Sequence, residues 1–296
     1  AVHSAAEWAL RSWKEDDLLS QITEKSTTNG PLDWRDWYIS PEGHTMVIRG
    51  PAISHMGPGE NEDERGQDEA QIQIRIERQF AIATKEVTKE QFLRFNPDFQ
   101  HKKNSRAPDL TCPINAILWV DAVEYCRWLC KEEKIPIREW CYPPDLTIEF
   151  GMTLPDDYLS RTGYRLPTEA EWEYFCRANT RTRYCCGDAA DLLSTYAWFE
   201  DNSRETHPVG SVKLKNFGMF DMHGKVKEWC HDLWPQEKHQ DVADLNPLLR
   251  TALNVTRGGA FSSQAHDLRS ANRRGDSPNG IPGTSAGFRV ARTIRN

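Results

Sequence analysis

The chain has 296 residues, enough for one large domain or two small ones with a real core, and carries a formal charge of −7, which argues against a general nucleic-acid partner. No apolar run approaches the roughly 18–20 residues of a membrane span. Eight cysteines without a CxxC pair read as reduced thiols, which favours the cytoplasm over an oxidising compartment.

Residues 1–22 are predicted as a helix, because Ala5, Trp8, Ala9 and Trp13 recur at helical spacing. The segment 1–35 is either a docking or linker element or a helix packed on the same core. A single domain is expected from 36 to 296, with no internal linker and no repeat. Its first strand is expected over Trp37–Ile48 and its next over Gln71–Ala83, where Ile72, Ile74 and Ile76 alternate with polar residues. Between them, the acidic, Gly-rich stretch from Gly57 to Glu69 is a loop.

Thr88 and Gln91 form a capping box that opens a helix running to Phe95. Val120–Glu132 places Ala122, Val123, Cys126, Leu129 and Cys130 on one helical face, so both cysteines are core residues. Residues 134–163 hold four prolines and no period, and read as an excursion off the core. Thr168 and Glu171 form a second capping box, whose helix buries Trp172, Phe175 and Cys176. Eleven tryptophans could stack on sugars or bases, but most fall at helix-face or motif positions such as Trp172 and Trp229, where core packing is the simpler role.

The stretch Asn254–Arg292 decides function. Val255–Gly259 and Gly287–Val290 read as two strands framing a long polar loop system, the usual place for binding or catalysis on a rigid frame. From Arg257 onward there are seven arginines against Asp267 and Asp276. They either attract an anionic ligand or brace irregular backbone through their planar forks.

RGGAF at 257–261, LRSANR at 268–273, GFRV at 287–290, RLPTEAEWEY at 165–174 and FGMFDMHGKVKEWC at 217–230 resemble, in order, the signatures of the formylglycine-generating enzyme (sulfatase-modifying factor) family. The likeness spans roughly 36–293. It implies an α+β, C-type-lectin-like fold with much irregular structure. Similar leading HSAxxWxLR segments precede this domain in bacterial members fused behind a protein kinase, so an upstream kinase or other fused domain is a possible partner.

The resemblance also implies a calcium site at Asp221, Gly224, Val226 and Glu228: two carboxylates and two backbone oxygens, the hard donors calcium takes. Lys225 and Lys227 stand where the family usually has Asn and Trp. In an extended segment they would point away from Val226 and Glu228. The alternative is a metal-free turn in which a lysine neutralises Glu228. A second family calcium site, around Asp201 and Asn202, has no clear ligands here.

The family enzyme oxidises a substrate cysteine with two copper-binding cysteines, and copper(I) needs soft thiolates. Their positions fall on Ser263 and Leu268, and no cysteine follows Cys230. No catalytic residues and no copper are therefore expected. An iron-dependent sister group uses three histidines, partly on a separate helical domain, for which the sequence ahead of residue 36 leaves too little room. The nine scattered histidines, His223 and His231 included, read as structural or surface residues, so iron is not expected. Ser262, His266 and Asp267 invite a hydrolase reading, but chain neighbours seldom face one another and no nucleophile elbow is present.

The leading expectation is a non-catalytic module that binds a protein or small molecule through Ser262, Ser263, Gln264, His266, Asp267 and Asn279. It would be a sensor domain, or a variable receptor of the diversity-generating retroelement type, whose mutagenised segments share the RGG…GFR outline. The alternative is a metal-dependent oxidoreductase with altered chemistry at the same pocket.

Overall fold

The computed structural model describes residues 2–295 except 29, 33, 60–61, 63–64, 67–68, 100–105, 149–151, 153, 235–252 and 279–284. Two helices lead the chain, α1 (Val2–Ser12) and α2 (Asp16–Ser26). The single helix expected over 1–22 is broken at Lys14, whose φ is +60°. The buried face of α1 also differs from the expected one: Ser4 and Glu7 turn inward, while Trp13 is 71% exposed. Polar contacts decide this face. Glu7 binds Lys85 and Arg11, and His3 stacks on Trp37 at 3.7 Å.

The described residues form a five-stranded sheet, a four-stranded sheet and a separate two-stranded ladder. The first uses β1 (Trp37–Ile39), β2 (Thr45–Arg49) and, beyond the hairpin β3 (Ala52–Met56) and β4 (Ile72–Ile76), β5 (Gln79–Ala83). Each of the two long predicted strands is thus divided in two. Next come α3 (Lys89–Phe95), α4 (Trp119–Glu132), β6 (Tyr164–Arg165) and α5 (Glu169–Arg177). Both expected capping boxes are present: Thr88 and Thr168 each accept the backbone N–H three residues on, and Gln91 and Glu171 reciprocate. The face of α4 carrying Cys126 and Cys130 is buried against Phe288 and Val290. Trp172, Phe175 and Cys176 of α5 pack on Phe80, Ile82 and Val255 in a second cluster.

The second sheet is built from β7 (Lys227–Leu233), β8 (Asn254–Arg257), β9 (Arg273–Asp276) and β10 (Ala286–Gly287), in the order β10-β7-β8-β9. The last strand, β11 (Ala291–Ile294), returns to the first sheet and lies between β5 and β6. β9 was not foreseen in the polar loop system. Its sequence, RRGD, has no apolar alternation, and it becomes a strand because the β8 ladder satisfies its backbone. Phe288 and Val290 lie outside any named strand, yet their carbonyls accept from Val87 and Ala83.

Buried arginine forks hold the irregular backbone. Arg257, fully buried, donates to the carbonyls of Ser270, Ala271 and Asn272 and binds Glu173. Arg269 grips Glu62 and Glu69, and Arg165 forms two bonds to Glu171 at 2.6 and 2.7 Å. The bracing reading of the C-terminal arginines accounts for the contacts of Arg257 and Arg269.

Candidate ligand-binding site

The 221–228 turn is not extended. Asp221, Gly224 and Lys225 all have positive φ, at +58°, +74° and +64°. Glycine is required at 224, because a Cβ there would lie 2.1 Å from the Trp198 carbonyl oxygen. The turn is tied down by Gly224 N–H to Gly258 O at 2.7 Å and Lys225 N–H to Trp198 O at 2.8 Å.

This backbone sends Lys225 inward rather than to the expected opposite face. Its Nζ is fully buried, 2.8 Å from Asp221 Oδ1, and donates to Pro208 O at 2.9 Å. Asp221 Oδ2 accepts the Gly210 N–H at 2.6 Å. Glu228 receives Arg289 through both oxygens, at 2.5 and 2.6 Å, and also Trp172 Nε1 at 2.9 Å. The calcium expectation at Asp221, Gly224, Val226 and Glu228 therefore does not fit: each carboxylate is already paired with a protein cation, and all four residues are buried. The metal-free alternative had the wrong pairing, since the lysine neutralises Asp221 and an arginine neutralises Glu228. Among the described residues, no group of three or more His, Cys, Asp or Glu is placed to hold a metal ion.

Lys227 takes a different course. Its Nζ reaches Asp276 Oδ2 at 2.7 Å, an oxygen that also accepts from Thr256 Oγ1 at 2.6 Å. These residues sit beside a cavity of about 240 Å³, to which β7 contributes Lys227, β8 Thr256 and β9 Arg274. The loop after Gly259 adds Ser262, Ser263 and Asp267, and Arg257, Gly259, Asn272 and Ser285 complete the lining. Three of the six expected ligand-binding residues thus share one cavity.

Their own bonds fix the loop. Ser263 Oγ accepts from Ala260 N–H at 3.1 Å, and Ser263 O accepts from Glu200 N–H at 3.1 Å. Asp267 Oδ1 receives Arg274 Nη2 at 2.6 Å, and its Oδ2 accepts from Gln264 N–H at 3.4 Å. The cavity wall therefore pairs hydroxyls with two carboxylate–cation couples, a surface that can donate and accept hydrogen bonds. Gln264 and His266 do not line it, and Asn279 lies outside the described residues. His266 Nε2 is 3.4 Å from Asp267 Oδ1, but among the described residues no hydrogen bond joins Ser262 to His266.

Sequence reasoning missed Lys227, Thr256, Arg257, Gly259, Asn272, Arg274 and Ser285 as lining residues. Period-two alternation along β7 could have put Lys227 on the cavity side, opposite the buried Glu228; the polar run around Arg274 offered no such signal. The two positions that the resemblance assigns to copper-binding cysteines hold different chemistry. Ser263 is a turn hydroxyl, and Leu268 is fully buried with Tyr184 and Phe199. His223 is buried, its Nε2 accepting Cys185 N–H at 3.1 Å, and burial lowers its pKa.

A five-stranded and a four-stranded sheet with a two-stranded ladder, helices on the same body and a long C-terminal loop system pinned by arginines define the C-type-lectin-like scaffold of formylglycine-generating enzymes. Residues 40–294 match the sulfatase-modifying factor enzyme 1-like domain, and the chain belongs to that family. It is similar to the serine/threonine-protein kinase pkn1 of Chlamydia caviae, with 37% identity over 147 residues, covering 47% of this chain and 22% of the kinase. It is also similar to the chaperone protein LppX of Paenibacillus barcinonensis, with 26% identity over 245 residues, covering 72% of this chain and 80% of LppX. The fold is shared with Treponema denticola variable protein 1 at a TM-score of 0.67 and 23% identity, over 85% of this chain and 95% of that one. The chain thus spans about a fifth of the kinase's length. Among the described residues, no helix is long and apolar enough to cross a membrane.

Proposed function

We propose that this chain is a non-catalytic binding module that takes a polar ligand, a protein surface or a small molecule, in the cavity formed by its C-terminal loop. The cavity itself carries this reading: Ser262, Ser263 and Asp267 meet Lys227, Thr256 and Arg274 around about 240 Å³ of space. Such a wall fits a ligand with its own donors and acceptors, because each buried polar group must find a partner. The substitution of a hydroxyl and an aliphatic side chain at the positions of a soft-donor thiol pair supports binding over copper chemistry. Similarity to a segment of a kinase supports a sensor or docking role beside another domain.

The test captures partners on the purified chain, with and without residues 1–35, and then measures affinity for Ser262→Ala, Ser263→Ala, Asp267→Asn and Arg274→Gln. Loss of about tenfold or more at two of these positions is expected, since hydrogen bonds to charged groups contribute ~1.5–3 kcal/mol. Unchanged affinity in all four would remove the cavity from the reading. Aldehyde formation on a sulfatase-type peptide with copper supplied would instead establish an enzyme.

A further inference from the structure

We propose that the Lys225 ammonium is a built-in cation occupying the place of a divalent metal in the 221–228 turn, so that this chain braces its binding loop without calcium and becomes calcium-dependent when the lysine is replaced by an oxygen donor. The proposal is independent of what the cavity binds.

Five ionisable side chains meet in the interior around the 221–228 turn: Glu86, Asp221, Lys225, Glu228 and Arg289, none more than 1% exposed. Buried charges persist only when paired, and here the pairing is internal. Glu228 belongs to Arg289. Asp221 belongs to Lys225, whose Nζ lies between that carboxylate and the Pro208 carbonyl. Around Nζ the neighbours are thus oxygens of the hard kind that calcium takes. Among the described residues neither carboxylate oxygen of Glu86 has a hydrogen-bond partner, and this side chain feels the charges of Asp221, Lys225, Arg289 and Glu228. Without the ammonium, Asp221, the Pro208 carbonyl and Glu86 would share this interior with Arg289 alone of the two cations, and both oxygens of Glu228 already hold that guanidinium.

The same lysine ties the turn to the loop. Its carbonyl accepts the Phe261 N–H at 3.0 Å, and the adjacent Gly224 N–H donates to Gly258 O. Whatever cation sits here therefore sets the start of the segment bearing Ser262 and Ser263. Asparagine is the informative replacement, since it tolerates the left-handed φ of +64° at this position and brings an oxygen. Methionine keeps the length but supplies no hard donor.

The full chain and the variants Lys225→Asn and Lys225→Met are melted in EGTA and in millimolar calcium chloride, and calcium is assayed after desalting. The wild-type melting temperature should agree within about 1 °C between the two buffers, and K225N should melt roughly 5 °C or more lower in EGTA and recover in calcium. K225M should be lowered without recovery. If K225N folds only when calcium is present, the result is the same in stronger form. Stoichiometric calcium on the wild-type chain, a wild-type melt several degrees higher in calcium, or a K225N chain indifferent to calcium would each overturn the proposal.

Discussion

Arg257 shows why single side chains matter so much in a molecule with little regular structure. Its guanidinium satisfies three consecutive carbonyls and a buried glutamate. Arg257→Lys keeps the charge but cannot reproduce the planar fork, and should lower stability by ~2–4 kcal/mol in urea unfolding. Charge imbalance in the C-terminal stretch was visible in the sequence, but which carbonyls the forks serve was not, because that depends on loop geometry. Burial holds two histidines neutral, His44 down to about 3 and His231 to about 4; their ring nitrogens lie 3.0 and 3.1 Å from the hydroxyls of Tyr125 and Tyr142. Both folded values lie below the unfolded value of ~6.5, so the stability they confer is complete above it and is lost as pH falls toward the folded values. Asp232, raised to about 6 by burial, works the other way, adding stability as pH falls through that value. Two groups outweigh one, and a loss on the order of 3 kcal/mol is expected between pH 7 and 4 by urea titration. His44→Gln should flatten that dependence.

Helices with capping boxes were the most legible elements. Thr168 and Glu171 stand three apart before an apolar face, and the local chemistry alone starts α5 there. Thr168→Ala should cost ~1 kcal/mol, read from the urea midpoint. The leading helix was legible in kind but not in orientation. Hydrophobic spacing pointed to the tryptophans, whereas the docked face is set by Glu7. Burial alone would raise this carboxyl, but Lys85 and Arg11 outweigh it and hold it at about 2. Glu7→Gln should therefore loosen α1, costing ~1–3 kcal/mol and speeding proteolysis at the Trp13–Glu15 break. The turn at 221–228 was the hardest to read. Alternation holds only in extended backbone, and three residues of left-handed φ reversed the expected side for Lys225.

At the scale of the whole chain, the family fold was legible from ordered motifs, while the cavity needed three strands and a loop brought together from residues 227 to 285. Its lining shares Arg257 with the groups that hold the body, but Ser262 and Arg274 are exposed side chains at its wall. Ser262→Ala and Arg274→Gln should thus change binding while moving the melting temperature by less than about 2 °C, since Ser262 is exposed and the Arg274–Asp267 pair has a solvent-exposed arginine. The position of β11 sets a different constraint. Residues 291–294 join β5 to β6, so a chain terminated after Val290 would leave both ladders unmet and should not give a cooperative melt. On the ribosome, then, the first sheet stays open until the far end of the domain has left the exit tunnel. The free edge of β5 and the whole of β6 wait unpaired through that interval, so the exposure of this edge to chaperones lasts as long as translation of the remaining domain.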